Sequence, residues 1–365
     1  MALGEIVEAA GIFDAAEVSA SGGSMAGVAT DEGSYKAPDL RGRIALVAGA
    51  TRGAGRGIAV ALGEAGATVY CTGRSSRVLK GKKRPTPGRP ETIEETAELV
   101  TAAGGRGIAA RVDHTVPAEV KKLFALVKKK HQRLDILVND VWGGDAWTQF
   151  GKGFWSANLE NGLLMLKQAV HSHIITAHFG APLMIGGKRE KGNVPVIFEI
   201  TDGEGFYYRG NIFYDLVKTS VIRLTFAMGM ELRKKGVAAV AVTPGFLRSE
   251  AMLERYKVTE ANWRDVGKRK SDPSDEEDFM NSESPRYTGR AIAALAADPN
   301  IRAKSGRVFS TWGLSEEYPF TDVDGSRPHW GRHAAKKYGE TPKCDDGFYA
   351  YWESGLIEKM FPDWF

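Results

Sequence analysis

From Arg41 onward, short apolar runs rich in β-branched residues alternate with stretches that have the 3.6-residue period of amphipathic helices. Strands buried on both faces are continuously apolar, and parallel strands need a helical crossover between them. The alternation therefore predicts a Rossmann-type α/β fold, a doubly wound seven-stranded parallel sheet with helices on both faces. The predicted strands are Ile44–Ala48, Thr68–Cys71, Gly107–Val112, Ile136–Asn139, Val194–Ile200, Ala238–Val242 and Arg307–Ser310.

Helices fill the intervals between these strands. They are predicted to begin near Gly53, Glu91, Pro117, Phe154, Asn211 and Ser284. Because right-handed crossovers bring the carboxyl ends of parallel strands to one edge of a sheet, we expect a ligand site at that edge. We expect residues 41–315 to form this domain, with residues 249–285 as a lid over the site.

Both flanks of this domain are predicted to be additions. Residues 1–40 carry apolar residues at helical spacing and then a Ser- and Gly-rich linker before Met25, which resembles a second start. They are either a fusion peptide or a natural arm that docks on a neighbour. Residues 316–365 are rich in aromatic side chains, which predicts a tail packed on the core or on another subunit of a homo-dimer or homo-tetramer.

Charge and cysteine content narrow the function classes. A net charge of +4 is too small for a typical nucleic-acid binder. The two cysteines, Cys71 and Cys344, suggest neither a disulfide framework nor a cysteine metal site, which fits a reducing cytoplasm. No apolar run is long enough to cross a bilayer, and the first residues do not resemble a secretory signal. His171 and His173 are spaced to point apart on a helix, so no metal site is predicted.

The first predicted strand leads into a glycine-rich turn that opens a helix, Gly49-Ala-Thr51-Arg52-Gly53-Ala54-Gly55. In such a turn the backbone approaches a pyrophosphate closely and its N–H groups point at the anion. A tight strand-to-helix connection is the alternative. The position after the first strand of an alternating pattern favours a dinucleotide site.

The residues after the second strand indicate which of the two nicotinamide cofactors the site binds. A carboxylate there binds the free adenosine ribose, whereas a cation pairs with a 2′-phosphate. This chain has Arg74 and Ser75 with no acid, Arg52 lies in the turn, and a basic run extends from Arg77 to Arg84. The sequence therefore predicts NADP(H), with Arg74 as its principal partner and the lysines of the run as a solvated loop.

Tyr214 and Lys218 are four residues apart in a predicted helix, so their side chains share one face. An ammonium near a phenol lowers a pKa of ~10, which predicts a general acid/base near neutral pH. The alternative is a solvated surface pair.

Residues 41–324 resemble the short-chain dehydrogenase/reductase family. The glycine-rich turn is similar to the cofactor motif of that family, and Tyr214 with Lys218 to its catalytic signature. Three further segments match: Asp113-His114 resembles the adenine-contacting acid, Asn139-Asp-Val-Trp142 the Asn-Asn-Ala-Gly motif, and Pro244-Gly245-Phe-Leu247-Arg-Ser249 the segment around the nicotinamide carboxamide. The resemblance implies that these residues bind the cofactor.

The same resemblance assigns the remaining catalytic positions. Thr201, thirteen residues before the tyrosine, stands where the family has a carbonyl-polarising serine. For the asparagine that holds a proton-relay water, Asn158 is preferred, with Asn161 or Gly162 as alternatives.

Trp142, which replaces a small residue, is predicted to wall the substrate pocket, and Met252 and Trp263 to contact substrate from the lid or else to pack on the core. Within the family, the chain looks most like the subgroup of dehydrogenase/reductase member 1 and its bacterial relatives. The resemblance implies an NADP(H)-dependent ketoreductase for bulky, apolar carbonyl compounds. The alternative function is an NADPH-sensing binding protein without turnover.

Overall fold

The structure is a computed structural model that describes residues 12–15, 35–77, 88–190, 192–269, 273–344, 349, 354–355 and 359–360. Most of the predicted N-terminal arm, the lysines of the basic run and most aromatic residues of the tail lie outside the described residues. The chain divides into two compact units. The first comprises residues 1–113, 244–297 and 311–333, and the second residues 114–243, 298–310 and 334–365.

The first unit contains four strands in the spatial order β1, β4, β3, β2. They are β1 (Ile12–Asp14), β2 (Ile44–Ala48), β3 (Thr68–Gly73) and β4 (Arg106–Arg111). Strands β2, β3 and β4 are parallel, whereas β1 pairs antiparallel with β4. The carboxylate of Asp14 in β1 also pairs with the guanidinium of Arg106 in β4, at 2.6 Å.

Two helices of the first unit pack closely against each other at a glycine. The helices of this unit are α1 (Gly53–Glu64), α2 (Ile93–Ala102), α7 (Glu250–Arg255), α8 (Pro273–Met280), α9 (Pro285–Ala297), α10 (Thr311–Glu317) and the start of α11 (Trp330–Tyr338). A Cβ on Gly57 of α1 would lie 2.1 Å from the carbonyl oxygen of Pro285 in α9. Glycine is therefore what allows α1 and α9 to pack this closely.

The second unit contains four parallel strands in the order β5, β6, β7, β8. They are β5 (Ile136–Asn139), β6 (Val196–Ile200), β7 (Ala238–Thr243) and β8 (Val308–Ser310). The principal helices are α3 (Pro117–His131), α4 (Leu159–Leu166), α5 (Ser172–Gly186) and α6 (Ile212–Leu232). A π-helical turn, Lys167–His171, joins α4 to α5. Ile222 of α6, Ala241 of β7 and Val308 of β8 pack in one buried cluster.

The predicted Rossmann-type α/β fold is confirmed, and each of the seven predicted strands is present. The strand β1 was not predicted. Of the described tail aromatics, Tyr349 is buried against Phe226 and Met230 of α6, whereas Tyr338 is exposed. None of the helices in the described part of the chain is long and apolar enough to cross a membrane.

Candidate active site

The glycine-rich turn of the first unit has the conformation of an anion-binding loop. Gly49 and Gly53 have φ values of +96° and +57°, in the left-handed region that glycine adopts without strain. The N–H groups of Gly49 and Ala50 both donate to the carbonyl oxygen of Thr72 in β3, which fixes the turn on the sheet. The space above Gly53 is open, since a Cβ there would meet no atom within 4 Å. The Cβ side of Gly53, at the start of α1, is therefore open space.

A carboxylate already uses one donor of this turn. The N–H of Gly53 donates to Oε2 of Glu250, the first residue of α7, at 2.8 Å. Glu250 Oε1 lies 3.7 Å from Nε of Arg56 in α1. This contact shows that the Gly53 N–H, at the start of α1, pairs with an anionic group, as the N-terminus of a helix favours.

Two arginines lie near the predicted adenosine end of the site, and they differ in their contacts with carboxylates. Nε of Arg52 is buried, lacks a hydrogen bond and lies 3.5 Å from a Glu91 carboxylate oxygen. Arg74, just after β3, is half-buried, and none of the described residues pairs with its guanidinium. Ser75 is buried, and its carbonyl oxygen accepts the N–H of Ile93. Arg74 is thus the predicted cation that remains available to a 2′-phosphate.

The predicted adenine-side residues differ in accessibility. Asp113 is half-buried at the end of the segment after β4. The ring of His114 is 3% exposed, and its Nδ1 lies 2.9 Å from the hydroxyl of Thr176 in α5. The His114 ring is therefore buried in the second unit, next to α5.

Asn139, at the end of β5, belongs to a buried polar cluster. Its amide nitrogen donates to Glu199 Oε1 at 2.6 Å, and the other carboxylate oxygen of Glu199 lies 2.6 Å from Nδ1 of His173. The amide oxygen of Asn139 is buried without a hydrogen-bond partner. The predicted cofactor role of Asn139 stays a prediction.

Tyr214, Lys218 and Thr201 come together in the second unit. Asn211 caps α6 by accepting the N–H groups of Phe213 and Tyr214, which places the tyrosine in the first turn. The hydroxyl of Thr201, just after β6, donates to the carbonyl oxygen of Lys218 at 2.8 Å. The tyrosine hydroxyl donates to Oδ2 of Asp202 at 2.7 Å.

The prediction that the pKa of Tyr214 is lowered is wrong. Burial of the phenol, followed by the negative charge of Asp202, raises the pKa of Tyr214 well above its ordinary value. Burial also lowers the pKa of Lys218, while carboxylates around it, Asp202 foremost, act in the opposite direction. An ammonium alone would lower this pKa, but burial of the phenol and then the neighbouring carboxylate reverse the sign of the shift.

Aromatic rings surround this pair. The ring of Trp142 meets that of Tyr214 edge-on at 5.4 Å, and Phe150 meets the same ring at 5.6 Å. Nζ of Lys218 lies 4.6 Å from the Trp142 ring centroid, within cation–π range. The indole nitrogen of Trp142 donates to Asp145 at 2.5 Å, which fixes the orientation of the ring.

The three candidates for the relay asparagine have distinct environments. Asn158 caps α4, where its side chain accepts the N–H of Asn161 at 2.9 Å. Gly162 lies under the ring of Phe213, and a Cβ there would meet that ring at 2.4 Å. The observed role of Asn158 is helix capping, and its relay role stays a prediction.

The segment predicted to hold the nicotinamide, Pro244–Ser249, is anchored by Glu283. The buried Glu283 carboxylate accepts the N–H of Gly245 at 2.9 Å and the hydroxyl of Thr311 at 2.6 Å. Its backbone N–H and C=O bond to Phe246 and Arg248, and Leu247 forms a parallel bridge with it. Ser249 precedes α7 in an extended conformation.

The two predicted lid contacts pack together in the first unit. Trp263 is 6% exposed and lies in a cluster with Val266 and Phe279, and Met252 packs against that cluster. The guanidinium of Arg248 stacks 4.0 Å from the Trp263 ring centroid. The structure thus shows the packing alternative for both residues, and substrate contact stays a prediction.

Sequence reasoning missed three carboxylates at these sites: Asp202, Glu250 and Glu283. Asp202 directly follows Thr201, so its position was a usable signal, whereas the contacts of Glu250 and Glu283 join segments far apart in sequence. Among the described residues, no group of three or more His, Cys, Asp or Glu side chains is arranged to hold a metal ion.

Comparison with known proteins identifies the family of this chain. Residues 43–260, more than half of the chain, match the family model described as short chain dehydrogenase. The chain belongs to the short-chain dehydrogenase/reductase family. This match confirms the predicted resemblance. Members of this family are oxidoreductases that use a nicotinamide cofactor, NAD(H) or NADP(H).

Among short-chain dehydrogenases/reductases, Dehydrogenase/reductase SDR family member 1 of Mus musculus is 32% identical over 289 residues, covering 78% of this chain and 85% of the relative. The 7alpha-hydroxysteroid dehydrogenase of Clostridium sardiniense is 27% identical over 215 residues, covering 59% of this chain and 74% of that protein. A short chain dehydrogenase structure from Mycobacterium thermoresistibile has a TM-score of 0.63 at 21% identity, covering 80% and 93% of the two chains. The structural likeness shows the fold, and the first relative supports the predicted subgroup.

Proposed function

We propose that this protein is an NADP(H)-dependent ketoreductase that interconverts a ketone and an alcohol, with Tyr214 as the general acid/base. The observation that carries the proposal is the cluster of Tyr214, Lys218 and Thr201 beside the ring of Trp142. A phenol held between aromatic rings and next to an ammonium is suited to exchange a proton with a carbonyl oxygen.

Each catalytic side chain has a separate task. Tyr214 stays protonated over a wide pH range, because its pKa is raised, and is therefore a stored proton for reduction. Thr201 orients the carbonyl oxygen, and its hydroxyl turns from the Lys218 carbonyl oxygen toward the substrate for this purpose. Lys218 binds the ribose hydroxyls of the nicotinamide half. Asn158 is proposed to hold a relay water.

The residues of the first unit fit a dinucleotide. In the turn Gly49–Gly55, the N–H of Gly53 now pairs with the carboxylate of Glu250 and would pair with a phosphate in its place. Arg74 favours a 2′-phosphate, because a half-buried guanidinium without a described partner gains a charge-assisted pair. The nicotinamide, when bound, supplies or accepts the hydride. Asp113, Asn139 and the segment Pro244–Ser249 are proposed to hold the rest of the cofactor.

The substrate is proposed to be a bulky, apolar ketone or alcohol. Trp142 and Phe150 present aromatic surface to Tyr214, and a relative at 27% identity is by name a hydroxysteroid dehydrogenase. We further propose that residues 41–315 form the catalytic domain with a lid at 249–285, and that the protein is a cytoplasmic homo-dimer or homo-tetramer.

The test is a steady-state assay of NADPH oxidation over a panel of aliphatic, aromatic and steroid ketones, in the wild type, Y214F and R74A. Y214F should lose turnover by at least ~10²-fold while NADPH binding is unchanged. R74A should raise the KM for NADPH and leave that for NADH unchanged. NADPH binding without turnover of any ketone would favour a cofactor sensor. Wild-type turnover in Y214F would refute the assignment of Tyr214.

A further inference from the structure

The hydroxyl of Tyr214 has a carboxylate partner that the sequence motifs did not predict. It donates a hydrogen bond to Oδ2 of Asp202, with an oxygen-to-oxygen distance of 2.7 Å. Asp202 directly follows Thr201 at the end of β6 and is half-buried. The group proposed to exchange a proton with substrate is therefore already hydrogen-bonded to a second group that can carry one.

A buried arginine holds the loop that carries Asp202. Nε of Arg209 donates to the backbone carbonyl oxygen of Asp202 at 2.6 Å, and Nη2 donates to that of Gly205 at 2.7 Å. Its charge is paired with Asp215 at 3.0 Å. Arg209 thus fixes the loop through backbone oxygens and leaves the carboxylate of Asp202 to the phenol.

This contact limits how Tyr214 can lose its proton. To oxidise an alcohol, the tyrosine must take the hydroxyl proton of the substrate, so its own proton must leave. If that proton went to water, a tyrosinate and a carboxylate would stand 2.7 Å apart in a half-buried site. Two like charges at this separation oppose each other strongly, whereas transfer of the proton to Asp202 keeps the pair at one negative charge.

We propose that Asp202 is a further catalytic residue, which takes the proton of Tyr214 during alcohol oxidation and returns it during ketone reduction. This inference rests on the proposed function. It gives Tyr214 a proton partner within the second unit itself.

In oxidation, the C–H bond of the alcohol breaks, and its electron pair leaves as a hydride, which oxidised NADP would accept when bound. The O–H proton of the alcohol moves to the oxygen of Tyr214 while the phenol proton moves to Asp202, and the carbon–oxygen double bond forms. The products are the ketone, NADPH, neutral Tyr214 and a neutral Asp202 carboxyl, which releases its proton to solvent before the next turnover.

Other charged groups also act on Tyr214. Asp145, in the turn after β5, adds to the negative potential, whereas Arg209 acts in the opposite direction. Lys218, on the same helix, feels Asp140, Asp145 and Asp202. Asp202 is distinguished from the other groups by its direct hydrogen bond to the phenol.

The test compares D202N with the wild type in alcohol oxidation, with the alcohol of whichever ketone the panel identifies as substrate. The asparagine oxygen can accept the Tyr214 hydrogen bond but cannot take a proton. At neutral pH, D202N should lose kcat by at least ~10²-fold. Its kcat should rise tenfold per pH unit in the alkaline range, where Tyr214 ionises by itself, whereas the wild type should be flat there.

Two variants separate a catalytic from a structural role. D202E keeps a carboxylate and should restore the flat alkaline profile, even if kcat is lower. E231Q removes one negative charge from an exposed position on the same helix, α6, and should keep the wild-type profile. A pH-independent loss in D202N, or unchanged kcat, would overturn the proposal, and circular dichroism with melting temperature shows whether each variant is folded.

A titration without cofactor or substrate gives a second readout. The ultraviolet difference absorbance of tyrosinate, taken against the matching Y214F background, should show Tyr214 ionising at lower pH in D202N than in the wild type. An unchanged midpoint would contradict direct coupling. If Y214F retains turnover, the proposed function fails. If Y214F is inactive and D202N behaves as the wild type, only the role of Asp202 fails.

Discussion

The contact between Glu250 and the glycine-rich turn predicts that this carboxylate weakens cofactor binding. Its Oε2 accepts the Gly53 N–H at 2.8 Å, at the donor that a pyrophosphate needs. The carboxylate must leave before the cofactor is seated, and any remaining negative charge repels the phosphates. The substitution that tests this is E250Q, because the glutamine keeps the size of the side chain and removes its charge.

The magnitude follows from the difference between charged and neutral hydrogen bonds. A bond to a charged group contributes about 1.5–3 kcal/mol and a neutral one about 0.5–1.5 kcal/mol, so the carboxylate holds the turn about 1–1.5 kcal/mol more tightly. That difference corresponds to a Kd for NADP⁺ about 5- to 13-fold lower in E250Q. The repelling charge is lost as well, which acts in the same direction.

The assay is isothermal titration calorimetry with NADP⁺ at constant ionic strength. The matched control is E254Q, the same change one turn later on α7, where the carboxylate pairs with Arg89 instead. We expect the Kd of E254Q to stay within twofold of the wild type. Unchanged or weaker NADP⁺ binding by E250Q would refute the argument that Glu250 competes for the turn.

Two further predictions concern stability. G57A should lower the free energy of unfolding by ~1–3 kcal/mol in a denaturant titration, because the new Cβ would overlap Pro285. The control G186A adds a Cβ where no atom lies within 4 Å and should be nearly neutral. For Glu283, burial raises the pKa to about 7 from 4.5, so the folded state binds this proton more tightly than the unfolded state. Stability should therefore fall by about 3 kcal/mol as the pH rises from 4.5 to 7, and E283Q should flatten that slope in pH-dependent unfolding. An equally steep slope in E283Q would contradict this assignment.

The strands were predictable because burial on both faces leaves a local signature. Ile44–Ala48 and Ile136–Asn139 agree with the structure at both ends. The strand predicted from Val194 begins instead at Val196, since Pro195 cannot donate a ladder hydrogen bond. The helix expected near Phe154 begins at Leu159, where Asn158 supplies the cap.

The polar partners at the site were not predictable in the same way. A motif fixes the spacing of Tyr214 and Lys218, but not which acid the chain brings to the phenol. Glu250 lies 197 residues from Gly53 along the chain, so no local pattern records their contact. The short strand β1 was missed for a similar reason, because its three residues form a strand only by pairing with β4.

That pairing has a consequence for any form of the chain that starts at Met25. Without Ile12–Asp14, the outer side of β4 loses its antiparallel partner, and backbone donors and acceptors that are now satisfied face water. Such a row of free groups is a template for strands from other molecules. Expression from the internal methionine would thus yield a protein with the same proposed catalytic groups and a greater tendency to self-associate.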